Sequence, residues 1–161
     1  MMNPDIPIEY RRLYNTPFCS LLIFWLVKGY ETKRKAIGMP TALIFIGYTL
    51  IINPKIQEIL SKARQIKLVS SIDDYPEIAL NISGRMNSFC SFFLEGLLFT
   101  ISNGTVSFTD ERNIHAILND IDIADSNDEI RRFKKVAIAI GKELGSFYDT
   151  ETIYSILGVR P

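Results

Sequence analysis

The stretch Asp128-Glu129-Ile130-Arg131-Arg132-Phe133-Lys134-Lys135-Val136-Ala137-Ile138-Ala139-Ile140-Gly141-Lys142-Glu143-Leu144 sets the fold class. Ile130, Phe133, Ala137, Ile140 and Leu144 recur at helical spacing on one face, so the segment reads as an amphipathic helix that buries that face. Arg131, Arg132, Lys134 and Lys135 flank the stripe, where they are expected to lie in water. Gly145 can end the helix. A helix with one apolar face needs partners, and the chain on both sides of it supplies them.

Upstream, Thr16-Pro17 is a cap followed by proline, the pattern of a helix start, and the helix it opens is expected over 16–28 with Gly29 ending it. Pro40 opens a second helix over 40–52, apolar almost all round and thus a candidate for the centre of the core. Asn53-Pro54 repeats the cap-then-proline signal and starts a third helix over 55–62. A brief strand fits 66–69, and Ser71 or Asp73 can cap a short helix over 75–81. Ser83 and Gly84 then separate that helix from a longer one starting near Arg85. The longer helix carries Met86, Phe89, Cys90, Phe92, Phe93, Leu94, Leu97 and Leu98, too many apolar positions for one stripe, and is expected to be largely enclosed. Gly96 inside it costs about 1 kcal/mol relative to alanine, which close approach of a neighbouring helix would offset.

Ser102-Asn103-Gly104 reads either as a helix C-cap followed by a strand or as a tight type I′ turn between 99–101 and 106–108. Residues 110–127 are acidic and mixed, a loop or short helix, and Asp149 caps a last helix over 150–157. Residues 1–14, with Pro4 and Pro7, form an N-terminal arm, and Gly158 to Pro161 form a C-terminal tail. The fold class is mainly α: one compact helical domain over 1–161 with a short strand or wing, a degenerate winged-helix-like arrangement.

Of the 161 residues 47% are hydrophobic and 22% charged, the balance of a globular domain rather than a disordered chain. Eighteen basic and eighteen acidic residues cancel, so no overall field draws in nucleic acid or an anionic membrane. Cys19 and Cys90 sit in apolar stretches outside any C-x-x-C spacing and read as two buried, reduced thiols, which points to the cytoplasm. The start has an acid and two prolines where a secretory signal has a basic end and an apolar run. The apolar stretches 18–27 and 41–52 fall short of the roughly 20 residues that cross a hydrocarbon core, so they are read as buried helices, with no membrane association.

Groupings able to do chemistry are missing from the sequence. His115 is the single histidine and lacks the partners of a zinc site; it reads as a surface residue. No phosphate-cradling glycine loop and no nucleophile elbow occur. Asp120, Asp122, Asp125 and Asp128 lack the central glycine and closing glutamate of a calcium loop, and Asp73-Asp74 look like helix caps. The expectation is a non-enzyme without cofactors that works by binding macromolecules. Arg131, Arg132, Lys134 and Lys135 then form either a solvated face or a docking surface for DNA or an acidic protein.

Two stretches resemble a known family. Leu13-Tyr14-Asn15-Thr16-Pro17-Phe18-Cys19, with the helix ending at Lys28-Gly29-Tyr30, is similar to the opening of the middle components of prokaryotic three-component ABC systems. Thr152-Ile153-Tyr154-Ser155-Ile156-Leu157-Gly158-Val159-Arg160-Pro161 is similar to that family's closing motif and is the more specific of the two. The resemblance implies a small non-catalytic accessory subunit between an SMC-like or Rad50-like ABC ATPase and an effector, often a nuclease, as in Lamassu-type defence against phages and plasmids. It implies DNA contact through the complex and supplies no catalytic residue. Tyr154, Gly158, Val159, Arg160 and Pro161 join the four basic residues as candidate partner-binding positions. The alternative is a winged-helix DNA-binding protein acting alone, against which the zero net charge argues.

Overall fold

A computed structural model describes residues 15–160 except positions 35, 36, 66, 125 and 148. The N-terminal arm and Pro161 lie outside the described residues. Helix α1 spans Thr16–Glu31, with Asn15 rather than Thr16 at the cap and proline in the first turn. It is the hub of the domain. It packs most heavily on α6 (Asp128–Ser146) and next on α5 (Ile82–Ser102), and Leu22, Ile23, Phe24, Trp25, Leu26 and Val27 are all buried around its circumference.

The seam between α1 and α6 is made of glycine. A Cβ on Gly29 would collide with the Ile138 backbone oxygen, one on Gly141 with the Leu26 backbone oxygen, and one on Gly145 would lie 2.8 Å from the Tyr30 oxygen. Backbone cannot step aside as a side-chain tip can, so only glycine lets the two helices come this close. Gly29 and Gly145 therefore lie inside their helices instead of ending them as expected. Beyond the seam, the Arg34 guanidinium donates to the Gly145 and Phe147 carbonyls and fastens the end of α1 to the end of α6.

Helix α2 (Thr41–Ile51) is enclosed on most sides, as its all-round apolarity predicts. Pro40 caps it. The chain then turns by 83° into α3 (Pro54–Lys62). The corner is held by the Asn53 side chain, which accepts from the Lys55 N–H, and by the Gln57 amide, which donates to the Ile51 carbonyl at 2.6 Å. No single helix among the described residues is long and apolar enough to cross a membrane; the bent α2–α3 pair passes only on length and composition.

The next segment departs from expectation. Leu68 and Val69 open a helix, α4 (Leu68–Asp74), instead of a strand, and Ile66 lies outside the described residues. Asp73 and Asp74 close α4 rather than cap a following helix, and only a 3-10 turn, Pro76–Ile78, comes after it. Asn81 then takes a left-handed conformation (φ 55°), and α5 starts at Ile82, running through Ser83 and Gly84.

Gly96 of α5 does meet a neighbouring helix: a Cβ there would sit 2.7 Å from the Cys19 Cβ of α1. Enclosure of α5 is the expectation that fails. Its buried positions are Ile82, Phe93, Gly96, Leu97 and Thr100, while Leu94 and Leu98 stay 50% and 65% exposed. Cys90 is only partly buried for the same reason, whereas Cys19 is fully buried, with its sulfur 3.0 Å from the Tyr48 hydroxyl.

Gly104, at φ 67°, ends α5, and a strand follows, β2 (Val106–Phe108). It pairs antiparallel with β3 (Asn113–Ala116), whose other edge takes β1 (Met39–Pro40), giving the order β1-β3-β2. So the acidic segment read as a loop or short helix contains the central strand of the sheet. His115 is not a free surface residue either: its Nδ1 lies 2.8 Å from the Glu31 carboxylate, which also accepts from the Ala116 N–H and joins β3 to the end of α1. The chain closes with α7 (Thr150–Leu157), whose Asp149 cap accepts from the Thr152 N–H as expected.

Candidate interaction surface

The four basic residues of α6 do not form a uniform solvated face. Arg131 pairs with Asp128 at 3.3 Å and donates to the Ala124 carbonyl. Lys134 pairs with Asp120 at 3.0 Å and lies over the buried Trp25 ring, 5.8 Å from its centroid. That hydrogen bond from Lys134 is the main reason the Asp120 carboxyl is held below its usual range, with the Ile121 N–H adding to it. Lys135 donates to the Ser61 and Ala63 carbonyls at the end of α3, at 2.7 and 3.2 Å. Three of the four thus hold neighbouring segments against α6. Arg132 is exposed, and its side chain makes no such contact with a described residue.

The C-terminal motif has a local physical cause. Gly158 takes the left-handed conformation at φ 64°; its N–H donates to the Ser155 carbonyl and the Val159 N–H to the Tyr154 carbonyl. This is a Schellman cap, in which residue types at the glycine and the apolar position after it are dictated by the helix end. Val159 and Tyr154 are both half-buried against the core, and burial pushes the Tyr154 hydroxyl pKa up. Arg160 is exposed, and Pro161 lies outside the described residues.

Two further surfaces escaped the sequence reading. One is the open side of α5, where Leu94, Leu98 and Phe99 (38% exposed) leave apolar area in water. The other is a groove lined by Lys33, Ala63, Arg64, Lys135, Ile138, Ala139, Lys142 and Glu143. It lies between the ends of α1 and α3 and the second half of α6. Lys135 and Lys142 are seven residues apart on one helix side, a spacing visible in the sequence; Lys33 and Arg64 are not, because only packing brings them there. Among the described residues no group of three or more His, Cys, Asp or Glu side chains is placed to hold a metal ion.

A mainly helical domain with a three-stranded antiparallel sheet at its edge defines the class of protein. The chain belongs to the family of Middle Component 3 of ABC-three component (ABC-3C) systems, whose family model matches residues 4–161. No curated protein sequence and no solved structure is significantly similar to it.

Proposed function

We propose that the chain is a non-catalytic linking subunit of its ABC-3C system, joining an SMC-like or Rad50-like ABC ATPase to an effector such as a nuclease in the cytoplasm, as in Lamassu-type defence. The observation that carries this reading is the family match over nearly the whole chain. The open apolar side of α5 supports it, since large apolar side chains left side by side in water are what a subunit retains for a partner. Arg132 and Arg160, exposed and with side chains that bond no other described residue, and the cap made by half-buried Tyr154 and Val159 with exposed Gly158 are the docking positions of this reading. Pro161, which follows Arg160 in the sequence, belongs to the same reading. DNA reaches the chain through the assembled complex.

The test is co-expression of the tagged chain with the products of its neighbouring genes. An ABC ATPase is expected to co-purify, and the isolated chain to show no ATP or DNA hydrolysis. Turnover by the isolated chain that survives further purification, or a chain that purifies alone, would overturn the reading. The β2–β3 hairpin directly after α5 favours a second reading, a winged-helix DNA-binding protein acting alone. Tight, salt-sensitive binding of duplex DNA by the isolated chain would decide for it.

A further inference from the structure

The groove between α1, α3 and α6 collects four cations, Lys33, Arg64, Lys135 and Lys142, against one carboxylate, Glu143, on a chain whose net charge is zero. Its walls are fixed. Lys135 bonds the end of α3, the Glu143 carboxylate accepts from the Leu68 N–H at 2.9 Å and so holds the start of α4, and Arg34 holds the end of α1. The two charges spent on the walls are thus Lys135 and Glu143. The charged side chains of Lys33, Arg64 and Lys142 make no hydrogen bond or ion pair with another described residue, and all three residues are exposed. Ala63, Ile138 and Ala139 give the same groove a half-buried apolar floor.

Like charges converging without counter-ions raise the local potential and favour an anionic occupant. An apolar floor between them favours one that also carries aliphatic side chains. We propose that this groove binds an acidic segment of a partner protein, in which Asp or Glu residues flank an aliphatic residue seated on Ile138 and Ala139. The identity of that partner as another subunit of the ABC-3C system rests on the functional reading above. Nucleic acid fits less well. Among the described residues no aromatic ring lines the groove for bases to stack on, and a chain without net positive charge lacks the field that draws in a phosphate backbone.

The test uses the full chain and two probes, a fluorescent peptide of alternating Glu and Leu residues and a fluorescent DNA duplex. Binding of the peptide is expected and is weakened by added salt, and the K33Q/R64Q/K142Q variant is expected to bind it roughly tenfold more weakly, since three exposed charges, each worth only a fraction of a well-buried one, together contribute about 1.4 kcal/mol. Circular dichroism and thermal unfolding unchanged from the parent would show the variant folded; if it unfolds, the single K142Q variant repeats the measurement. Equal peptide binding by parent and variant, or duplex binding tighter than peptide binding at physiological salt, overturns the proposal. Pull-down of the ABC ATPase separates the two levels. An ATPase that binds parent and variant equally refutes the groove alone, whereas one that binds neither refutes the linking role.

Discussion

Helices α1 and α5 are alike in composition and opposite in fate. Both are apolar on more than one side. Yet α1 is buried around almost its whole circumference by α2, α5 and α6, while α5 buries a single stripe and leaves Leu94, Leu98 and Phe99 exposed. The difference is one of supply. A helix is enclosed only when other elements cover each side, and the chain spends α2, α5 and α6 on α1. Nothing among the described residues covers the outer side of α5. Apolarity in a sequence therefore marks surface that needs covering and leaves open whether the same chain covers it.

The contrast breaks most visibly at the inner stripe of α5. Phe93 is buried, stacked on Phe45 with ring centroids 4.5 Å apart and tilted on Tyr48. Phe93→Ala is expected to cost about 3–5 kcal/mol, lowering the melting temperature by roughly 10 °C in a chain of this size. A shift of a degree or two would mean that α5 is loosely docked on both sides.

Gly141→Ala attacks α1 from across the glycine seam, where the new Cβ would meet backbone from Leu26, Tyr30 and Gly29. Separating two helices to admit one methyl group is expected to cost about 1–3 kcal/mol, read as a lower midpoint in urea at unchanged slope. An unchanged midpoint would show that the seam has room for a methyl group.

Asp120 holds Lys134 over the Trp25 ring of α1 from outside. Its folded carboxyl titrates below the usual aspartate range, chiefly because of the Lys134 hydrogen bond, so the ionised form stabilises the fold. That stabilisation is present above the ordinary carboxylate range and is lost as pH falls through the lowered value. Asp120→Asn should therefore lower the melting temperature near neutral pH by at most about 2 °C, since the pair is largely exposed. The gap between the two proteins should close in acid. A gap that widens in acid would mean that the ionised Asp120 carboxylate does not stabilise the fold.

The smallest effect on stability is expected at the open side of α5. Leu94→Gln with Leu98→Gln should leave the melting temperature nearly unchanged, since exposed substitutions by a good helix former stay within about 0.5 kcal/mol each. Retention of the ABC ATPase in a pull-down is the informative readout for this pair. A large loss of stability would show that the outer side of α5 is covered within the chain itself.

Local signals were legible wherever a segment's own residues decide its shape. Asn53-Pro54, Asp149 with α7 and the periodic stripe of α6 are each set by hydrogen bonds and spacings within one turn or two. Gly29 and Gly145 were misread because a glycine looks the same whether it turns the chain or lets a helix approach; the backbone of α6 decides the first and Tyr30 the second. Strand β3 was missed because Ile114 is its one buried side chain, so no alternating pattern marks it. Its identity as a strand comes from β1 and β2 on either edge, neither of which adjoins it without intervening residues. The same holds for the basic groove, where Lys33 and Arg64 reach Lys142 only after three helices have packed. Taken alone, the sequence determined the helical class, the Asn53 and Asp149 caps and the amphipathic face of α6, since those follow from interactions between near neighbours along the chain. Which apolar sides are covered, which glycines join helices and which charges share a groove were decided by tertiary packing, because each depends on backbone brought together from distant positions.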